Sequence, residues 1–211
     1  MRHGKLIFRF FLLAALAYFA YLLLLITLQY IPFRADAAFL KIKTDEVALP
    51  YYLFFFKLHV FTSLFLLLSG VTQFSTYIRK KWRNLHRGMG WSYISIILMA
   101  AAPSGIVMGW HANGGWTSQT SFVILGVLWF LFTALALYFV LKKNLVQHQN
   151  FMIRSFALTL SAVTLRLWKW IIVALFHPPP MDVYRIVAWL GWVLNLLIAE
   201  YIISKKKPDK Q

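Results

Sequence analysis

The residues of this chain that could do chemistry are histidines and cations set inside apolar stretches. Imidazole nitrogens ligate haem iron and metals, while guanidinium and ammonium groups hold phosphates and carboxylates. The densest group lies in residues 148–169, which carry His148, Arg154, Arg166 and Lys169 yet are otherwise apolar enough to cross a bilayer. Charge inside a membrane is expensive and by default points to function. On a helix turning about 100° per residue, His148, Met152, Ser155, Thr159, Ala162 and Arg166 fall within ~40° of one line, with Lys169 at its edge. Two earlier segments show similar stripes: His59, Ser63, Gly70 and Gln73 on one, and His86, Gly90, Tyr93, Ala100 and Ser104 on the other. Small and hydroxylated residues on one face are what close helix packing in lipid uses.

The elements that must position these residues are membrane spans. The chain is 61% hydrophobic and 13% charged, with a mean hydropathy of +0.67, too apolar for a soluble domain of 211 residues. The expected fold is all-α, a polytopic membrane protein of six transmembrane helices in one integral domain over 1–211. The spans fall at about 6–31, 51–77, 86–110, 118–141, 149–176 and 184–203, and the core is built on spans two to five. Pro103, Ser104 and Gly105 interrupt the third span, where a missing N–H kinks a helix. Trp82, Trp91, Trp110, Trp116, Trp168, Trp170, Trp189 and Trp192 mostly read as interfacial belts.

A net charge of +16 would suggest nucleic acid in a soluble protein. Here the basic residues gather in short loops and tails that set topology and touch anionic lipid head groups, so nucleic acid is excluded as a partner. Arg2, Lys5 and Arg9, the 78–87 loop, the 142–148 loop and the tail KKKPDKQ all fall on one side of a six-span chain. The other side has the mixed-charge loop 32–50 (Arg34, Asp36, Lys41, Lys43, Asp45, Glu46) and two short turns, HANGG and HPPPMD. By the positive-inside rule both termini are expected in the cytoplasm, with the protein in a bacterial inner membrane. No internal repeat supports an inverted-repeat transporter.

Rise per residue then gives depth. His59 lies about 12 Å, Arg166 about 15 Å and Lys169 about 10 Å inside the outer ends of their spans. His86 and His148 share an inner layer at the starts of spans three and five, and His111 and His177 end those spans on the outer side. Glu200 matches Arg154 in depth, which predicts a structural salt bridge. Arg166 and Lys169 have no acid at their level and need carbonyls, a lipid phosphate or a bound anion. The absence of Cys excludes disulfides, thiolate sites and iron–sulfur clusters. No acid sits beside a histidine to orient it as a base, which argues against hydrolase chemistry.

His59 with the following LLLSGVTQF, the basic NLHRGMGW, the PSG of 103–105 and HQNFMIRSFALTLSAVTLR together resemble the bacterial membrane proteins of domain of unknown function 2306. The resemblance covers about residues 50–170 and implies a multi-span inner-membrane protein of unassigned activity. On the pattern of its histidine-bearing helices, that family looks distantly similar to transmembrane b-type cytochromes. Thr72 and Gln73 stand where a proline is expected after the glycine, which affects helix shape rather than ligands.

Two functions compete at this level. In one, haem b sits between helices with His86 and His148 as axial ligands and His59 as a third candidate, for electron transfer or redox sensing. Gly88 and Gly90 would admit the porphyrin, Arg166 and Lys169 would meet anions or propionates, and a redox partner or quinone would exchange electrons. The chain would then be a membrane oxidoreductase component rather than an enzyme by itself. A histidine-only iron site without haem is disfavoured because no carboxylate completes it. In the other, a non-catalytic membrane protein, small transporter or structural subunit uses Arg166 and Lys169 for a lipid phosphate or anionic ligand.

Overall fold

The computed structural model describes residues 2–32, 34 and 37–206. Asp36, the end of the basic tail (207–211) and the side chains of Arg2, Lys5 and Arg9 lie outside the described residues. Every regular element among the described residues is helical: α1 (Arg2–Leu28), a 3-10 turn (Ala38–Ile42), α2 (Thr44–Val47), α3 (Pro50–Gln73), α4 (Thr76–Lys81), α5 (Arg83–Ile96), a π turn (Ile97–Ala101), α6 (Ala102–Trp110), α7 (Trp116–Leu141), α8 (Leu145–Thr159), α9 (Ser161–Phe176) and α10 (Pro180–Ser204).

Four continuous helices are long and apolar enough to cross a membrane: α3, α5–α6 taken together (Arg83–Trp110), α7 and α10; the bent pair α8–α9 makes a fifth. Of α1, the described apolar stretch is Ala17–Leu28, shorter than a span, and the helix packs on α3. Side chains such as Met99, 81% exposed in mid-helix, face outward. Such exposure is favourable only where the solvent is lipid. At one end of the bundle three tyrosines each stand one turn before a lysine, on α4, α7 and α10. Lys81 lies over Tyr77, Lys142 over Tyr138 and Lys205 over Tyr201. Amphipathic rings and snorkelling ammonium groups are what a head-group layer favours; this is called the basic end below.

Local sequence sets the breaks. Ser75 caps α4 through Ile78 N–H, and Asn144 caps α8 through Gln147 N–H, each filling an orphan donor of the first turn. Gly114 and Gly115 adopt positive φ of 86° and 74°, which lets the chain reverse between α6 and α7 in a few residues. His177 is left-handed and is followed by Pro178–Pro180, which stop α9 and start α10.

The polar stripe of the fifth span meets other hydroxyls. Tyr93 Oη on α5 hydrogen-bonds Ser155 Oγ (3.1 Å) and Thr159 Oγ1 (2.7 Å) on α8. Trp129 Nε1 donates to Thr159 Oγ1 at 3.1 Å, and Thr133 Oγ1 shares a 2.7 Å bond with Ser155 Oγ, both from α7. All five residues are buried at the centre of a core that includes Leu66, Ile97, Ala101, Met152 and Leu158.

The expectation of one unbroken helix over 149–176 is corrected: the span breaks at Leu160, with a 42° bend between α8 and α9. Asn195 of α10 fastens the break, donating from Nδ2 to Ala157 O and to Thr164 Oγ1, each at 3.0 Å. Thr164 in turn donates to Gly191 O on α10 and to Leu160 O on its own helix. Hydroxyls bonded back to the preceding turn bend helices, and the contacts to α10 pull α9 onto that helix. Span six thereby joins the core. Trp192, expected in the interfacial belt, is 6% exposed and donates to Ser121 Oγ at 2.9 Å.

Backbones approach most closely at glycines. A Cβ on Gly109 would come within 3.0 Å of the Phe122 carbonyl carbon and Val123 N on α7, neither of which can rotate away. Gly109→Leu is therefore expected to separate α6 from α7 and cost about 1–3 kcal/mol, read as a lower unfolding temperature in detergent. Gly88→Leu, at an open position, should leave that temperature unchanged.

Candidate functional site

Two cavities of the bundle are lined by histidines, one by His86 and His148 and the other by His59 and His111. At the basic end a cavity of about 220 Å³ lies between α3, α5, α7 and α8, lined by Gln73, His86, Arg87, Gly90, Trp91, Ile94, Leu137, Val140, Leu141, His148 and Met152. His86 sits in the first turn of α5 and His148 in the first turn of α8, so both enter from the same end. His148 Nδ1–H donates to Ala136 O at 2.8 Å; a carbonyl can only accept, so Nδ1 carries a proton and the bond leaves Nε2 unengaged. His86 Nδ1 is buried and has no hydrogen-bond partner. Gln73 Nε2 donates to the His86 carbonyl at 3.3 Å, tying the start of α5 to α3. Gly90 admits that amide, since a Cβ there would lie 2.9 Å from Gln73 Oε1.

The second cavity, about 200 Å³, occupies the far half of the bundle. Its walls include Tyr52, His59 and Ser63 of α3, Gly105 and Met108 of α6, Trp129 of α7, Thr159 of α8, Ser161 and Ala162 of α9 and Tyr184 of α10. His59 Nδ1–H donates to Ala101 O at 2.9 Å, the last carbonyl of the π turn that precedes Pro103. Ser104 Oγ satisfies Ala100 O and Ala101 O. Gly105 leaves room for the imidazole: a Cβ there would stand 3.0 Å from His59 Cε1. The three residues Pro103-Ser104-Gly105 thus open the helix, cap it and admit a histidine. Arg166 is exposed and donates to Ala162 O on the cavity wall.

The three candidate haem ligands do not form one site. His59 lines the far cavity and not the one at the basic end, so it does not stand beside His86 and His148 as a third ligand. Arg166 is likewise removed as a propionate contact for that pair, because roughly 25 Å of helix separates it from His148. Lys169 lies farther still, exposed and without an ion pair among the described residues. The cation at the basic-end cavity is Arg87. Arg154 and Glu200 pair through two hydrogen bonds of 2.6 and 2.8 Å on the bundle surface, with the guanidinium over the Phe151 ring. Asn195, which shapes the far cavity by bending span five, was not singled out from the sequence; a lone amide in mid-span was the available signal.

At the far end, Lys43 is 1% exposed and ties the 3-10 turn to α6, donating to His111 O and to Glu46 Oε1. His111 ends α6 with its Nε2 bonded to Tyr51 Oη at 3.0 Å, and it lines the far cavity from that end. Burial pushes the Glu46 carboxyl up, but the hydrogen bonds and charge from Lys43 outweigh it and hold it below the usual 4.5. A depressed carboxylate contributes stability above its ordinary pKa and loses it as pH falls through the lowered value. Wild type should therefore unfold at a higher temperature than Glu46→Gln at neutral pH. The difference should vanish as the pH is lowered below the carboxylate range.

Neither the curated proteins nor the solved structures contain a match to this chain. The profile of one family, described as "Predicted membrane protein (DUF2306)", matches residues 56–203, from α3 through nearly the whole of α10. The match takes in the whole basic-end cavity and most of the lining of the far one, and the chain belongs to that family of membrane proteins.

Proposed function

We propose that this membrane protein binds haem b between α5 and α8 and serves in single-electron transfer or redox sensing. The observation that carries the reading is the histidine pair: two imidazoles on different helices line one cavity, one ring fixed by a carbonyl and the other with an unpartnered buried nitrogen. A ligating histidine usually donates its second ring N–H to a carbonyl or carboxylate, which fixes ring and tautomer. His148 has that support from Ala136.

The donor set suits haem better than a bare ion, since the described residues contain no group of three or more His, Cys, Asp or Glu placed to hold a metal. The enclosed volume of about 220 Å³ is below the ~300–1,000 Å³ of a typical ligand pocket. However, Trp91 and Leu141 on its rim are 51% and 65% exposed, so the space continues to the lipid-facing surface. A flat macrocycle with its edge toward lipid suits such a slot. When bound, haem supplies reversible one-electron exchange at its iron. His86 and His148 would hold it, Arg87 would meet a propionate, and Ile94, Leu137, Val140 and Met152 would keep water from the ring.

In this reading the membrane is a bacterial inner membrane, the basic end faces the cytoplasm by the positive-inside rule, and a redox partner or quinone exchanges electrons there. The test is an absorption spectrum of detergent-purified protein expressed with haem supply. A Soret band that sharpens and shifts on reduction is expected; its absence overturns the reading.

A further inference from the structure

We infer that the far-half cavity is a binding site for an anionic amphiphile: a carboxylate or phosphate head held by Arg166, with its alkyl chain in the cavity. The inference is independent of haem at the basic end. The cavity exists because span five bends: α8 packs against α3 through Phe156, whose ring fills the space left by Gly70, whereas α9 turns away by 42° to lie on α10. Its lining is chiefly Phe39, Met108, Phe122, Leu125, Trp129 and Leu158, an apolar surface suited to an alkyl chain.

Ala162 lines the wall, and Arg166, one turn farther along α9, bonds its carbonyl with a single N–H. A guanidinium has five donors, and no carboxylate pairs with Arg166 among the described residues. Lys43, the cation that lines the cavity, is already neutralised by Glu46. A charge at this depth without a counter-ion is costly, and an anionic ligand removes that cost. Ser63 Oγ, buried and without a hydrogen-bond partner on the same wall as His59, offers the head group a further hydroxyl. Arginine meets either oxyacid through two parallel N–H bonds, so a free fatty acid and an anionic phospholipid share the chemistry.

The test uses the full chain in a neutral detergent, with thermal unfolding and native mass spectrometry as readouts. Laurate and phosphatidylglycerol are the probes, lauryl alcohol and inorganic phosphate the controls. At least one anionic amphiphile should bind and raise the unfolding temperature, and whichever does so identifies the source of the head group. Arg166→Gln should weaken that binding by about tenfold or more, an ordinary loss for a charge-assisted pair, while Arg166→Lys should recover part of it. Ala162→Phe keeps the charge but fills the wall beside it, and should abolish binding of the chain. Lys169→Gln, one turn away and exposed, should bind normally. The inference is overturned if either control binds as well as the amphiphiles, if neither amphiphile binds, or if Lys169→Gln loses as much as Arg166→Gln.

Discussion

Replacing His148 by alanine is expected to eliminate the Soret band, and replacing His86 to eliminate it or reduce it to residual five-coordinate haem. The asymmetry follows from how the rings are held. His148 is oriented by the Ala136 carbonyl and keeps its Nε2 free, so it is ready to bind iron without reorganising. His86 has no such support, its Nδ1 being unpartnered. Removing the oriented ligand should therefore cost more haem occupancy than removing the other. Losing even the groups that support a metal ligand typically costs 10–100-fold in affinity, so losing the ligand should exceed that. His59→Ala is the internal control. Its imidazole bonds Ala101 O in the other cavity, and the variant should keep the full band. Equal bands in wild type and His148→Ala would remove His148 from the site.

The paired substitution Ser155→Ala with Thr159→Val should be the most destabilising near-isosteric change in the core. It removes four hydrogen bonds between helices: two from Tyr93 Oη, one from Trp129 Nε1 and one from Thr133 Oγ1. All the partners are buried. Membrane hydrogen bonds average only ~0.6 kcal/mol in double-mutant cycles, with a ceiling near ~1.7. At those values the pair should lose roughly 2–3 kcal/mol, seen as a clear drop in unfolding temperature in detergent. Tyr93→Phe breaks two of the four bonds and should fall about midway. An unchanged temperature in the paired variant would mean that the hydroxyls orient the helices without holding them together.

The two cavities show how far the sequence can be read. A helical stripe from Met152 to Thr159 follows from periodicity, and so does its inward direction, because polar groups avoid lipid. Equal depth for His86 and His148, or for Arg154 and Glu200, follows from the rise of a helix and from the alternation of spans. Each of these is a one-dimensional quantity. The bend at Leu160 was illegible, because it depends on Asn195 reaching across from a helix that lies 35 residues later in the chain. Trp192 was misplaced for a related reason: an indole in mid-span can face head groups only by leaving the core, and its partner Ser121 lies on α7.

The sequence by itself determined that this is a helical membrane protein, that many of its cations fall in the loops and tail between spans, and that His86 and His148 begin their spans while His59 lies inside its own. Hydropathy, charge count and helical rise are additive along the chain, so no folding information is needed to sum them. The tertiary structure alone decided which groups meet. It paired His86 with His148 around one slot, gave His59 to the π turn before Pro103, and bonded Arg166 to Ala162 O on the wall of a separate cavity. Those outcomes depend on which side chain fills each helix contact, as Phe156 does at Gly70 and Asn195 at the break. Such contacts are pairwise, and a single chain read in order does not contain them.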